Sequence, residues 1–160
     1  MTRRGADVST WLAVAAVLGA GHGAFSLYWA AGGQWLLTTV GQVAEQYSDR
    51  LWLLVPVGLV KLAAGVGPWL LARRGWPLRT VSRMLCWLGA LVLVGWGGLS
   101  AAVAQLVLAG ALAPEDGYDR AAMLGHAWLW DPWFLLWGAA LILGLLATAR
   151  SGARTRGPDR

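Results

Sequence analysis

The sequence predicts an all-helical membrane protein: a bundle of four transmembrane helices with both termini on the cytoplasmic side and an external interfacial helix between the first two spans. Three observations carry this. Apolar side chains make up 58% of the 160 residues and charged ones 13%, with a mean hydropathy of +0.54, whereas soluble domains carry about 25% charged residues. Four apolar runs each approach or exceed the roughly 20 helical residues that a bilayer core requires. Finally, the basic residues fall almost entirely on one set of loops.

Taken in order, the runs place spans at about 11–31, 51–72, 84–113 and 132–149. Trp11 to Ala31 carries no formal charge, Leu51 to Ala72 carries only Lys61, and Met84 to Ala113 carries none but is long enough to tilt. The fourth run is interrupted by Asp131-Pro132, which reads as an N-cap followed by proline at the first helical position. This predicts a short interfacial helix before it. Gly32-Gly33 stops the first span, and Leu36, Val40, Val43 and Tyr47 then recur at helical spacing, so residues 34–47 are expected to rest on the outer interface or fold over the bundle mouth. Residues 151–160 read as a basic, disordered cytoplasmic tail.

Orientation follows from the positive-inside rule. Arg3, Arg4, Arg73, Arg74, Arg79, Arg83, Arg150, Arg154, Arg156 and Arg160 fall on one face and only Arg50 and Arg120 on the other, which also holds Glu45, Asp49, Glu115, Asp116, Asp119 and Asp131. The expected location is therefore the cell membrane, with an even number of spans and both ends inside. A cleaved signal peptide is the rival reading of the first span. Its apolar run is longer than the roughly 7–15 residues of such a segment, and no Ala-x-Ala site follows it.

Composition excludes several classes of function. Basic residues flank spans rather than forming a stripe, which argues against nucleic acid. One cysteine, Cys86, rules out an intrachain disulfide and a multi-cysteine metal site. No nucleotide, zinc or nucleophile-elbow motif occurs. Of the 12 tryptophans, Trp11, Trp29, Trp35, Trp52, Trp69, Trp76, Trp128, Trp130 and Trp133 fall near predicted interfaces as an aromatic belt, while Trp87, Trp96 and Trp137 lie deeper and need partners. Gly19 and Gly23 form a G-x-x-x-G step, and Gly95, Gly97 and Gly98 with Ala101 and Ala102 give the third span a small face.

Lys61 is the most informative residue, the only lysine among 13 basic side chains. A cation near the bilayer centre costs about 2.5–3.5 kcal/mol and should face the bundle interior. Counting 1.5 Å per residue, Lys61 lies about 15 Å below the outer boundary and His22 about 13–14 Å below it, so their depths match. A neutral His22 can accept a hydrogen bond from the ammonium, whereas two charged forms would repel. Ser26, Tyr28 and Gln105 share the outer half, and together they form a candidate polar pocket, with a freed carbonyl of Trp52 above it at Pro56. The alternative for Lys61 is snorkelling, or pairing with a helix-end carbonyl or an outer carboxylate; for His22 it is a hydrogen-bonded bundle histidine. Haem between His22 and His126 is disfavoured because the two lie at different depths, and no cofactor or metal is expected. No pair of carboxylates lies within a span, so the usual proton-relay pattern is missing.

The segment Gly21 to Gly33, with His22, Tyr28, Trp29, Ala30, Gly32 and Gly33 followed by Trp35, resembles the His-x5-Tyr-Trp-Ala-x-Gly-Gly signature of small actinobacterial four-span proteins grouped only as a domain of unknown function. Gly125 to Gly138, containing Trp130-Asp131-Pro132-Trp133, resembles the same family's approach to its last span. The resemblance implies the topology and places His22, Tyr28, Trp29, Asp131 and Pro132 on the outer half, without implying an activity. Three classes of function fit: a module that binds or transports a small anionic or lipid-like ligand around Lys61 and His22, with tryptophans as an apolar wall; an accessory subunit docking another membrane protein; and a membrane enzyme acting on a quinone or lipid. For the last, the sequence shows no nucleophile and base arrangement.

Overall fold

Glycine ends three of the four long helices in the same way. In the computed structural model, which describes residues 3–41 and 48–154, α1 (Arg3–Ala30), α2 (Leu54–Arg73) and α3 (Arg79–Leu108) are each followed closely by a glycine with φ between 74° and 91°. At Gly32 the left-handed turn lets the amides of Gly32 and Gly33 bond back to the carbonyls of Trp29 and Tyr28, satisfying groups that the helix end would leave unpaired. A Cβ on Gly33 would fall against the Tyr28 ring, so a side chain there requires that exposed ring to move.

The fourth span is built differently from the expectation. Asp119 is its N-cap, with Oδ1 accepting from the amides of Ala121 at 2.8 Å and Ala122 at 3.2 Å. Helix then runs without a break through α4 (Arg120–Gly125), a π turn at His126–Trp130, and α5 (Asp131–Arg154). Asp131 has helical dihedrals and is not an N-cap, and Pro132 does not start the span. The physical reason is the π turn: it passes carbonyls to amides five residues on, making room for a proline ring that has no N–H to give. The other apolar runs marked the membrane-embedded stretch rather than the helix ends; α3 starts and stops about one turn earlier than its run of uncharged residues.

The four long helices pack in the order α2, α1, α5, α3, a row curled so that its two ends, α2 and α3, face each other but meet only slightly. Close approach along the row uses glycine. A Cβ on Gly19 would lie 2.5 Å from the Gly65 Cα and 2.6 Å from the Trp137 ring, and one on Gly23 would lie 3.0 Å from the Gly58 carbonyl oxygen. Gly97 of α3 seats the Asp131 carbonyl and the start of α5 in the same way, and Ala90, Ala101 and Ala104 continue that buried face. Gly95 and Ala102 are not part of it: Ala102 is exposed, and a Cβ on Gly95 would meet nothing within 4 Å.

Of the expected interfacial helix, the described part is a single 3-10 turn, Leu37–Val40, entered through a left-handed Leu36. Leu36 and Val40 pack on Trp29 and Trp130, so these members of the stripe face inward, over one end of the bundle. Val43 and Tyr47, and most of the expected tail, lie outside the described residues. The described residues contain four helices long and apolar enough to cross a membrane, and no strand.

The glycine contacts yield a paired prediction. Gly65→Leu forces α1 and α2 apart and lowers thermal stability in detergent by about 1–3 kcal/mol through overpacking, whereas Gly95→Leu, substituted where there is space, leaves the unfolding midpoint within error. Equal midpoints for the two variants would contradict this packing.

Candidate functional site

His22 and Ser26 are four residues apart, so α1 presents both side chains on one face. On α2, Gly58, Lys61 and Gly65 occupy the face turned to α1, and the two glycines bring the backbones close enough for the lysine between them to reach across. Its Nζ lies 3.2 Å from His22 Nδ1 and 3.1 Å from Ser26 Oγ. Phe134 of α5 contributes a ring face, with Nζ 5.5 Å from the ring centroid. Lys61 is half-buried, His22 is 4% exposed and Ser26 1%. The lysine thus faces the bundle at the level of His22.

An ammonium at Lys61 is donor-only, and the contact then has Nδ1 of His22 accepting, with the imidazole proton on Nε2. That Nε2 is buried and has no hydrogen-bond partner among the described residues. It lies among rings: Phe134 stacks on the imidazole at 4.2 Å, and Trp130 and Trp133 flank it at 5.6 Å each. The cluster extends through Phe25 and Trp29, with Trp29 packed edge-on to Trp130 at 5.2 Å. Its indole N–H groups are tied down. Trp29 donates to the Trp35 carbonyl at 2.9 Å, Trp130 to Thr39 Oγ1 at 3.0 Å, and Trp133 to the Leu18 carbonyl at 3.0 Å. Trp29 and Trp130, expected in an interfacial belt, are therefore buried core residues, while Trp96, expected to need a bundle partner, is 66% exposed. Trp137 is buried as expected, but its N–H has no partner among the described residues.

Two residues expected in the pocket are elsewhere. Tyr28 is 45% exposed, and its hydroxyl accepts from the Trp35 amide at 3.4 Å. Six residues past His22, it points roughly 120° away at 3.6 residues per turn. Gln105 is on α3, at the far end of the row from Lys61, and donates to the Ala127 carbonyl of the π turn at 3.1 Å. That bond serves the fold, because a π turn leaves carbonyls without their usual amide partner. Trp29 belongs to the aromatic cluster that roofs His22, without a direct contact to Lys61.

One arrangement escaped the sequence reading. Asp131, 1% exposed, is paired with His126 Nδ1 at 2.9 Å, and His126 keeps part of its ring at the surface. In an α-helix, residues five apart point roughly 140° from each other; the π turn closes that angle. The available signal was the His-x4-Asp-Pro string, which reads equally well as a cap. The two histidines are thus engaged by different partners, and among the described residues no three His, Cys, Asp or Glu side chains are grouped as metal ligands would be.

The His126–Asp131 pair yields a test of its own. His126→Leu strands a buried carboxylate and destabilises the protein by about 3–5 kcal/mol; adding Asp131→Leu restores much of that stability, read from unfolding midpoints of the two single variants and the double variant. Additive losses would show that the pair is not coupled.

No curated protein and no solved structure matches the chain. Residues 18–141, which include every residue of the site just described, match the family described as Protein of unknown function (DUF3995), and the chain belongs to that family.

Proposed function

We propose that the protein is a membrane binding module whose ligand carries an oxyanion, a carboxylate or phosphate, held at Lys61. One observation carries this reading. Lys61 has its ammonium against two neutral acceptors, His22 Nδ1 and Ser26 Oγ, and no carboxylate among the described residues pairs with it. Two acceptors leave the third ammonium donor and the whole positive charge uncompensated. A charge retained at mid-membrane at such cost is a functional-site hypothesis by default. The Phe134 ring supplies an apolar wall. Both acceptors are taken up by the ammonium, and its remaining donor and charge suit an anion.

The enzyme alternative is weaker on geometry. Ser26 Oγ at 3.1 Å from an amine has the spacing of a nucleophile and its base. However, Ser26 is 1% exposed on a continuous helix whose N–H groups bond along the axis, so neither substrate access nor an oxyanion hole is in place.

The orientation that goes with this reading puts both termini in the cytoplasm of a cell-membrane protein and the Lys61 pocket in the outer half, supported by the division of arginines between the loops. Reporter fusions after Arg156 are expected inside, and fusions within residues 115–120 outside; an external C-terminus would overturn it.

The ligand reading is tested by native mass spectrometry of the full chain from mild detergent. Wild type should carry an anionic adduct whose mass tells a lipid from a small metabolite. Lys61→Met should keep the helical signal and monodispersity, because replacing a buried charge with an apolar side chain of similar shape is often neutral or better, but lose the adduct; Lys61→Arg should retain it. An unchanged adduct in Lys61→Met would end the proposal.

A further inference from the structure

Between α2 and α3 the row of helices leaves an apolar groove of about 440 Å³, floored by Leu141 of α5. Its walls include Ala64, Gly67 and Leu71 on one side and Leu85 and Gly89 on the other. The turn joining the helices accounts for the gap. Gly75, Trp76 and Leu78 all have positive φ, and Trp76 folds back to bond the Leu71 carbonyl at 2.8 Å, so the chain reverses without bringing α3 onto α2. The walls are small as well: a Cβ at Gly67 or Gly89 would meet nothing within 4 Å among the described residues, so neither glycine is required by their packing. Along the groove the polar atoms offer little. The Ser82 hydroxyl is turned to the Leu78 and Arg79 carbonyls of its own helix. Whatever lies along the groove is apolar.

The end of the groove at the α2–α3 turn is strongly basic. Arg73 stacks on Trp69 with its guanidinium carbon 4.8 Å from the ring centroid, and Arg83 stacks on Trp76 at 5.2 Å while donating to Thr148 Oγ1 and, at 3.0 Å, to the Leu145 carbonyl. These partners hold the two guanidinium groups in place and leave each with N–H donors to spare. Arg74 and Arg79 are exposed beside them. From residue 51 to residue 114 the sequence has no Asp or Glu, so neither α2, α3 nor their turn supplies a counter-anion. Measured from Leu78 to Leu93 at 1.5 Å per residue, the groove runs about 20 Å along α3, enough for an acyl chain to follow it through one leaflet, about half of a 30 Å core.

We infer that this groove is a site for an anionic phospholipid, with one acyl chain lying between α2 and α3 and the phosphate held by Arg73, Arg74, Arg79 and Arg83. Charge complementarity selects this occupant over a second helix, which would have to bring its own carboxylates to four arginines. Basic pockets between spans at a membrane face bind anionic headgroups in this way. The site is separate from the Lys61 site, because Ala64, Gly67, Pro68 and Leu71 lie from about one to nearly three turns further along α2, towards the α2–α3 turn, and it does not depend on that reading.

The test uses the full chain, delipidated in mild detergent, with phosphatidylglycerol and phosphatidylcholine of identical acyl chains as probes. Native mass spectrometry should show one phosphatidylglycerol retained over phosphatidylcholine by a factor on the order of ten. The Arg74→Gln/Arg79→Gln double variant should lose that preference, Gly89→Phe should lose the bound lipid, and Lys61→Met should change neither. Because Gly89→Phe could perturb the fold, a diazirine placed on the acyl chain of phosphatidylglycerol provides a measurement on the wild type: cross-links should concentrate on residues 63–71 and 81–93. Equal retention of the two lipids, or cross-links spread evenly over all four spans, would overturn the proposal, as would a lipid-free dimer protected at Gly67 and Gly89, which would assign the groove to a second copy of the chain.

Discussion

A cation within the hydrophobic slab has to be met by acceptors from a neighbouring helix, and much of this architecture can be read as the means of meeting one. Lys61 sits on α2, whose other faces are largely exposed. Its side chain turns instead to α1, where His22 and Ser26 stand one turn apart at 3.2 and 3.1 Å. Such an approach is possible because Gly58 and Gly65 flank the lysine and meet Gly23 and Gly19, so that the two backbones touch above and below the charged group. A large side chain at Gly19 or Gly65, where the two backbones touch, separates the helices and with them the polar contact. The G-x-x-x-G step is therefore not a generic packing device here; it fixes the distance over which an ammonium must reach.

The second half of the molecule supports the first through its aromatic rings. His22 is held from behind by Phe134, Trp130 and Trp133, all carried by the fourth span. Those rings reach His22 from a segment that passes from α4 into α5 through a π turn, the same irregularity that admits Pro132 and turns Asp131 onto His126. Thr39, on the turn after α1, closes the cluster by accepting the Trp130 indole N–H. Chain segments far apart in sequence thus converge on one imidazole, while α2 and α3, adjacent in sequence, remain apart and leave the groove.

How much of this was legible follows from what hydropathy and depth encode. Four spans, the stop at Gly32-Gly33 and the inward lysine at the level of His22 all come from quantities that run along a helix axis, namely length, charge and rise per residue. Ser26 was legible too, since it shares the His22 face. Depth says nothing about azimuth or about which helices are neighbours, and sharing the outer half is not sharing a level: Tyr28 lies six residues, about 9 Å, beyond His22 and on another face, and Gln105 lies eight residues, about 12 Å, beyond Gly97, the α3 residue that meets Phe134, on the helix at the other end of the row. Asp131-Pro132 misled for a different reason. The same dipeptide begins a helix when the preceding backbone is extended and passes through one when a π turn precedes it, and only tertiary packing against Gly97 and Gln105 decides between them.

The central claim is that Lys61 is an ammonium donating to a neutral His22 across the α1–α2 contact. Solid-state 15N NMR of the protein in bilayers, with histidine and lysine labelled, tests this most directly. The account predicts a neutral His22 imidazole with its proton on Nε2, an unprotonated Nδ1 and a through-space correlation from Nδ1 to the Lys61 Nζ, lost in Lys61→Met. A His22 protonated at Nδ1, or a Lys61 amine with no correlation to the ring, would contradict it.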